Sequence, residues 1–191
     1  MGTLPAIRQK TSMTIKAKNG RHVVLRKLNS ADFDSLFSYL ENLSIETKKR
    51  FGPHQFDRQS IVDFYQNKNH LGYIAQDTVT LNIVAYSIIK TGYLEHDNFR
   101  LQSYGWILDN KTDFTFAPSV TDSWQSCGIG NALFHFILSD LKPFEVKNII
   151  LWGGVQADNI KAVNFYKKNG FHILGEFQYN GQNYDMALQI Y

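Results

Sequence analysis

Residues Gln125-Ser126-Cys127-Gly128-Ile129-Gly130 form a short loop between an apolar, strand-like run and a helix. The run before it is Phe114-Thr115-Phe116-Ala117-Pro118-Ser119-Val120. After it, Leu133, Phe134, Ile137, Leu138 and Leu141 recur at the spacing of a helix that buries one face. A helix that starts on a glycine turn offers unpaired backbone N–H groups and the positive end of its dipole. Glycine also lets a ligand approach the main chain closely. The loop therefore reads as a site for phosphate or pyrophosphate, or as a plain strand-to-helix turn; short glycine motifs alone do not decide between these.

The rest of the chain supports an α/β domain with a mixed, mostly antiparallel sheet flanked by helices. Residues 1–13 show no period and read as an arm, leaving 14–191 as one domain. Asn19-Gly20 and Asn180-Gly181 each sit between alternating runs, as in two-residue hairpins. Ser30 is placed to cap a helix whose buried stripe is Phe33, Leu36, Phe37, Leu40 and Leu43. Short helices are expected at Glu46 to Arg50 and Ser60 to Gln66. Strands are expected at Leu71 to Ala75, Leu81 to Ile89, Arg100 to Leu108 and Asn148 to Trp152. Pro118 cannot donate to a ladder, so it marks a bulge or the point where pairing stops.

A second stretch sharpens the reading: Asn159, Ala162, Tyr166, Gly170 and Phe171, one helix and one strand beyond the loop. Gln-x-x-Gly-x-Gly followed by Asn-x-x-Ala-x-x-x-Tyr-x-x-x-Gly-Phe resembles the GNAT superfamily of acyl-CoA-dependent N-acyltransferases. The motifs span Phe114 to Phe171, and the strand pattern stays compatible out to Tyr191.

The resemblance implies a single-domain GNAT-like fold with a twisted sheet, acetyl-CoA as co-substrate, and an amine acceptor that is a small molecule or a peptide. It implies that the central strand splays from its neighbour, so that main-chain atoms of Phe116 and Val120 meet the pantetheine arm. The amides of Ser126, Cys127, Gly128, Ile129, Gly130 and Asn131 would hold the pyrophosphate, with Gln125 starting the loop. Asn159 matches a pantetheine contact or is an ordinary helix cap. Tyr166 matches the general acid that protonates the leaving thiolate, or is a core aromatic. The aromatic segment with Phe51, His54, Phe56, Phe64 and Tyr65 corresponds to the acceptor wall, or packs beneath a loop.

Two departures stand out. Members of the family often carry a basic residue or glycine where this chain has Cys127. Helix N-termini activate thiols in general, but no base stands beside Cys127 in sequence. Many members place a glutamate base where this chain has Thr115, so the base is left among Asp113, Asp122, Glu95, His54 and a water chain. A binding module that keeps the acyl-CoA site without catalysis is the rival reading.

Composition narrows the partners. A net charge of +3 with only short basic clusters gives no nucleic-acid footprint. No apolar run approaches the ~20 residues of a membrane span, and the N-terminus lacks the apolar centre of a signal peptide. One cysteine and six scattered histidines offer no internal disulfide and no zinc spacing. The expectation is a cytoplasmic enzyme that needs no metal, with a homodimer as an admissible assembly.

Overall fold

The computed structural model describes residues 12–190. Its strands are β1 (Ser12–Lys16), β2 (His22–Lys27), β3 (His70–Asp77), β4 (Ile83–Thr91), β5 (Asp113–Val120), β6 (Asn148–Leu151), β7 (Val155–Gln156), β8 (His172–Gln178) and β9 (Gln182–Gln189). The helices are α1 (Phe33–Glu41), α2 (Ile45–Arg50), α3 (Arg58–Gln66), α4 (Asn98–Ser103), α5 (Ile129–Leu141) and α6 (Ile160–Lys168). The strands form one sheet in the order β1-β2-β3-β4-β5-β6-β9-β7, with β8 on β9. Among the described residues only β5 and β6 pair in parallel; every other pairing is antiparallel.

Side-chain alternation along the strands builds two cores. Tyr73, Ile89, Phe114 and Phe116 face α5, whose Leu133, Phe134, Ile137 and Leu141 pack on them. Ile74, Tyr86, Ile88 and Ala117 face the other way, against Leu36, Tyr39 and Leu40 of α1 and Ile61 of α3. Asp140 pins the far end of α5 to the sheet. It accepts a hydrogen bond of 2.7 Å from the Tyr73 hydroxyl and pairs with the Lys27 ammonium at 2.8 Å.

Several local expectations change. Ser12 and Met13 belong to β1, and the remainder of the expected arm lies outside the described residues. The Asn19-Gly20 connection is longer than two residues, because Lys16 pairs with His22. Gly20 N–H bonds the Ala17 carbonyl and only Gly20 has positive φ, at 84°, the pattern of a turn closed by a glycine bulge. At the second hairpin Asn180 and Gly181 both have positive φ, and Tyr179 joins them in the connection. The cap ahead of α1 is Asn29, not Ser30. The Asn29 side chain accepts from Ala31 N–H, while Asp32 reaches back to the Asn29 amide in a capping box.

The stretch expected as a strand from Arg100 to Leu108 is instead α4 followed by irregular chain. Its apolar alternation is real, since Leu101, Tyr104, Trp106 and Leu108 cover Ile150 and Ala187, but it is not paired into the sheet. The local fold is set by Arg100. Its Nη2 donates to Asp97 at 2.6 Å, one turn earlier, and its Nε donates to Asp185 of β9 at 2.6 Å. The guanidinium also lies 3.8 Å from the centre of the Phe177 ring.

Asp97 and Asp185 are almost fully buried, so removing their shared cation leaves two uncompensated carboxylates. Arg100→Met should therefore lower folding stability by about 3–5 kcal/mol at pH 7 in urea titrations. Arg100→Lys should recover only part of this, because an ammonium cannot bridge both carboxylates as the fork does.

Candidate active site

The parallel pairing of β5 with β6 ends early. It runs from Asp113 opposite Asn148 to Phe116 opposite Leu151, and its last bond is Trp152 N–H to the Phe116 carbonyl, at 2.9 Å. β5 itself continues to Val120, still in register with β4. Bonds to β4 at Asp113 and Thr121 fix the alternation, so the main-chain groups of Pro118 and Val120 point into the gap on the β6 side. Pro118 thus marks the end of pairing on one edge and no bulge on the other. The Phe116 carbonyl is already taken by Trp152, and the groups that face the gap begin two residues later, at Pro118.

The gap leads to the glycine loop. Gln125 Nε2 donates to Asp122 at 2.8 Å and, at 3.4 Å, to the Val120 carbonyl. Ser126 and Gly128 adopt positive φ, 61° and 86°, which turns the chain sharply into α5. The first bond of that helix is Ala132 N–H to the Gly128 carbonyl, at 3.0 Å. The amides of Ile129, Gly130 and Asn131 precede it and have no partner within the helix. The Ile129 side chain is buried and anchors the turn, while the Cys127 side chain packs against the core and its carbonyl accepts from Lys18 N–H at 3.0 Å.

Two cations that the sequence reading missed flank this loop. Lys18 reaches across Gly128, its side-chain carbons within 4 Å of where a Cβ would stand. Lys161, in the first turn of α6, donates to Gln125 Oε1 at 3.4 Å. Loop amides, a helix N-terminus and two lysines suit a pyrophosphate group. The only sequence signal for Lys18 was the Asn-Gly turn, which says nothing of what the hairpin tip touches.

Asn159 caps α6, its side-chain oxygen accepting from Ala162 N–H at 3.3 Å. Tyr166, seven residues on, packs edge-on against Phe116, Phe165 and Phe171. Its hydroxyl has no hydrogen-bond partner among the described residues. It faces a small cleft with Phe51, Pro53, Pro118, Trp152 and Arg50. Burial raises its pKa well above the ordinary phenol value, so the hydroxyl keeps its proton.

The aromatic segment does gather. Phe51 and His54 pack on Tyr86 of β4, His54 on Phe64 at 4.7 Å, and Phe64 reaches Trp152 at 6.0 Å. Thr115, at the position where many family members carry a glutamate base, is buried and donates to the Gly92 carbonyl at 2.8 Å. Asp113 accepts from Asn148 and the Asp109 amide at the opposite end of β5 from the loop, and burial raises its pKa. Asp122 is held by Thr47 and Gln125, and Glu95 lies exposed on the β4–α4 connection. His54 keeps a lowered pKa through burial, but its Nε2 is engaged by the Tyr86 hydroxyl at 3.1 Å.

The model of the acetyltransferase (GNAT) family matches residues 37–171, well over half of the chain. This chain belongs to the GNAT family. Its fold is shared with solved structures of low identity. The GNAT domain of S. lividans PAT superposes with a TM-score of 0.69 at 16% identity, covering 94% of this chain and 97% of that one. The ribosomal-protein-S5-alanine acetyltransferase from Vibrio fischeri gives 0.70 at 12% identity, covering 94% and 97%. The ribosomal-protein-S18-alanine N-acetyltransferase from Escherichia coli gives 0.58 at 16%, covering 88% and 94%. No curated protein matches the sequence at a significant level. Among the described residues no helix is long and apolar enough to cross a membrane, and no cluster of histidine, cysteine and carboxylate side chains could hold a metal ion.

The two glycines of the loop differ physically. A Cβ at Gly130 would make only ordinary contacts, 3.6 Å from Val120 and Phe165, whereas Gly128 needs its left-handed backbone. Gly128→Ala should cost about 1–2 kcal/mol of stability and weaken CoA binding measured by calorimetry. Gly130→Ala should leave both nearly unchanged, and equal losses in the two variants would count against the loop as the anchoring point.

Proposed function

We propose that this GNAT protein transfers the acetyl group of acetyl-CoA to a primary amine. The observation that carries the reading is the continuity of the site. A strand gap lined by main-chain groups of Pro118 and Val120 runs from the glycine loop to a tyrosine hydroxyl with no hydrogen-bond partner among the described residues. Acyl transfer from a thioester to an amine needs the donor held, the amine neutral and a proton for the departing thiolate.

The residues present fit those needs. The amides from Ser126 to Asn131, with Lys18 and Lys161, would hold the pyrophosphate, and the backbone of Pro118 and Val120 would pair with the amides of the pantetheine arm. Acetyl-CoA supplies an activated acyl carbon. Tyr166 would give its proton to the thiolate sulfur and recover one from solvent through the cleft. The aromatic wall of Phe51, Phe56 and Phe64 would shape the acceptor, a small-molecule or peptide amine. A silent acyl-CoA sensor would need the same loop, but it would have no use for an unpartnered phenol at the cleft.

Tyr166→Phe tests the assignment cleanly, because removing the hydroxyl breaks no hydrogen bond in the protein and keeps the ring. We expect kcat, read as CoA release under saturation by both substrates, to fall ~10²-fold. Acetyl-CoA affinity and thermal stability should stay near wild type. An unchanged kcat would return this tyrosine to a packing role.

A further inference from the structure

The described site lacks a group to take the amine proton, and the opposite face of the sheet offers one. His70 opens β3, directly opposite Lys90 of β4, which in turn pairs with Thr115 of β5. The imidazole stacks on Phe64, with centroids 3.9 Å apart and planes within 15°. Its Nδ1 lies 2.8 Å from the Phe64 carbonyl oxygen. A carbonyl only accepts, so Nδ1 carries the hydrogen and Nε2 keeps its lone pair. Among the described residues Nε2 has no hydrogen-bond partner. It stands beside a cavity of about 270 Å³ lined by Phe33, Tyr65, Leu71, Asn29 and Lys27.

The ring also approaches one wall of the Tyr166 cleft. His70 and Trp152 approach to 6.1 Å between ring centres, although β3 and β6 are three places apart in the sheet. Strands spaced ~4.8 Å apart put those backbones some ~14 Å from one another, so the two side chains arch over β4 and β5. Trp152 lines the cleft that holds the Tyr166 hydroxyl.

We propose that His70 is the general base of the reaction, taking the proton of the attacking amine at Nε2, with the adjoining cavity as the acceptor pocket. This rests on the acetyltransferase reading above. The N–C bond forms as the C–S bond breaks. The amine proton passes to His70 Nε2 and on to solvent through the cavity, while the thiolate takes the Tyr166 proton. Products are the acetamide and free CoA.

The surroundings keep the imidazole neutral. Burial lowers its pKa and the Lys90 charge adds to this, against the opposing pull of the Phe64 carbonyl. The other groups nearby are His54 and Tyr65 on the α2–α3 side and, across the cavity, Lys27 with its partner Asp140; Glu95 stands near Lys90. Besides His70, the cavity walls carry apolar side chains, Asn29, Ser30, Tyr65 and one lysine, and no carboxylate. The chemistry suits a monoamine with an apolar body and disfavours a polycation.

The experiment measures CoA release from acetyl-CoA with tyramine and with spermidine between pH 5 and 9, corrected for the free-amine fraction. Wild type should prefer tyramine and lose kcat/KM toward the acid end of this range, on a limb displaced below that of an ordinary imidazole, as the ring protonates. His70→Gln should lower kcat ~10²-fold and abolish that acidic limb, while CoA affinity by calorimetry stays unchanged. His70→Ala should regain part of its rate when imidazole is added, which a merely structural loss would not allow. Wild-type kcat and an intact acidic limb in His70→Gln would overturn the base, and a preference for spermidine would overturn the acceptor pocket. If the wild type binds CoA but turns over neither amine, the acetyltransferase reading falls, and this proposal with it.

Discussion

Everything in the site depends on the interruption of one hydrogen-bond ladder. β5 and β6 part after Phe116, and parted strands ordinarily leave donors and acceptors without partners. Here the cost is reduced by the residues at the break. Pro118 has no N–H to lose, and the Val120 carbonyl is met, at long range, by the Gln125 amide. The remaining groups are left facing a space that an amide-bearing ligand could enter.

The opening stays local because the other edge of β5 is firmly held. β4 pairs with β5 from Thr91–Phe114 through Ala85–Val120 without a register shift. Ser119 adds a buried link, donating to the Tyr86 carbonyl at 3.2 Å and sharing a 2.9 Å bond with the Tyr39 hydroxyl. The strand that forms one wall of the gap is therefore tied to α1 as well as to β4. Asp140 does the same for α5 at its far end, so the helix whose N-terminus faces the gap is fixed at both ends by the sheet.

What was legible in the sequence was what is decided locally. The glycine loop, the helical stripe after it, the cap at Asn159 and the break at Pro118 each depend on a few adjacent residues. The features that were missed depend on distant pairs. Lys18 meets the Cys127 loop only after the β1–β2 hairpin is laid against it. Arg100 turns its segment into a helix through Asp185, 85 residues away, so strand-like alternation in that segment misled. His70 gave no signal at all, because a lone histidine at a strand start acquires meaning only when Trp152 arrives from β6. The Asn19-Gly20 hairpin was right in kind and wrong in length, since the same dipeptide serves both a two-residue turn and a glycine bulge.

The alternation of β5 also explains how acid and base can act together without exchanging protons directly. Phe114 and Phe116 face α5 and belong to the core that includes Tyr166, whereas Ala117 faces α1 and α3, with Thr115 on the same side of the strand. A closed sheet would separate the two faces completely. Because β6 departs after Phe116, the Tyr166 hydroxyl reaches the cleft from one face while Trp152 and the His70 ring approach from the other. In the proposed reaction the thiolate thus meets a neutral phenol whose burial keeps it protonated, and the amine meets an imidazole whose burial keeps it unprotonated. The same desolvation pushes the two groups toward opposite proton-binding states, because it penalises charge on both: the phenol would become an anion, the imidazole a cation.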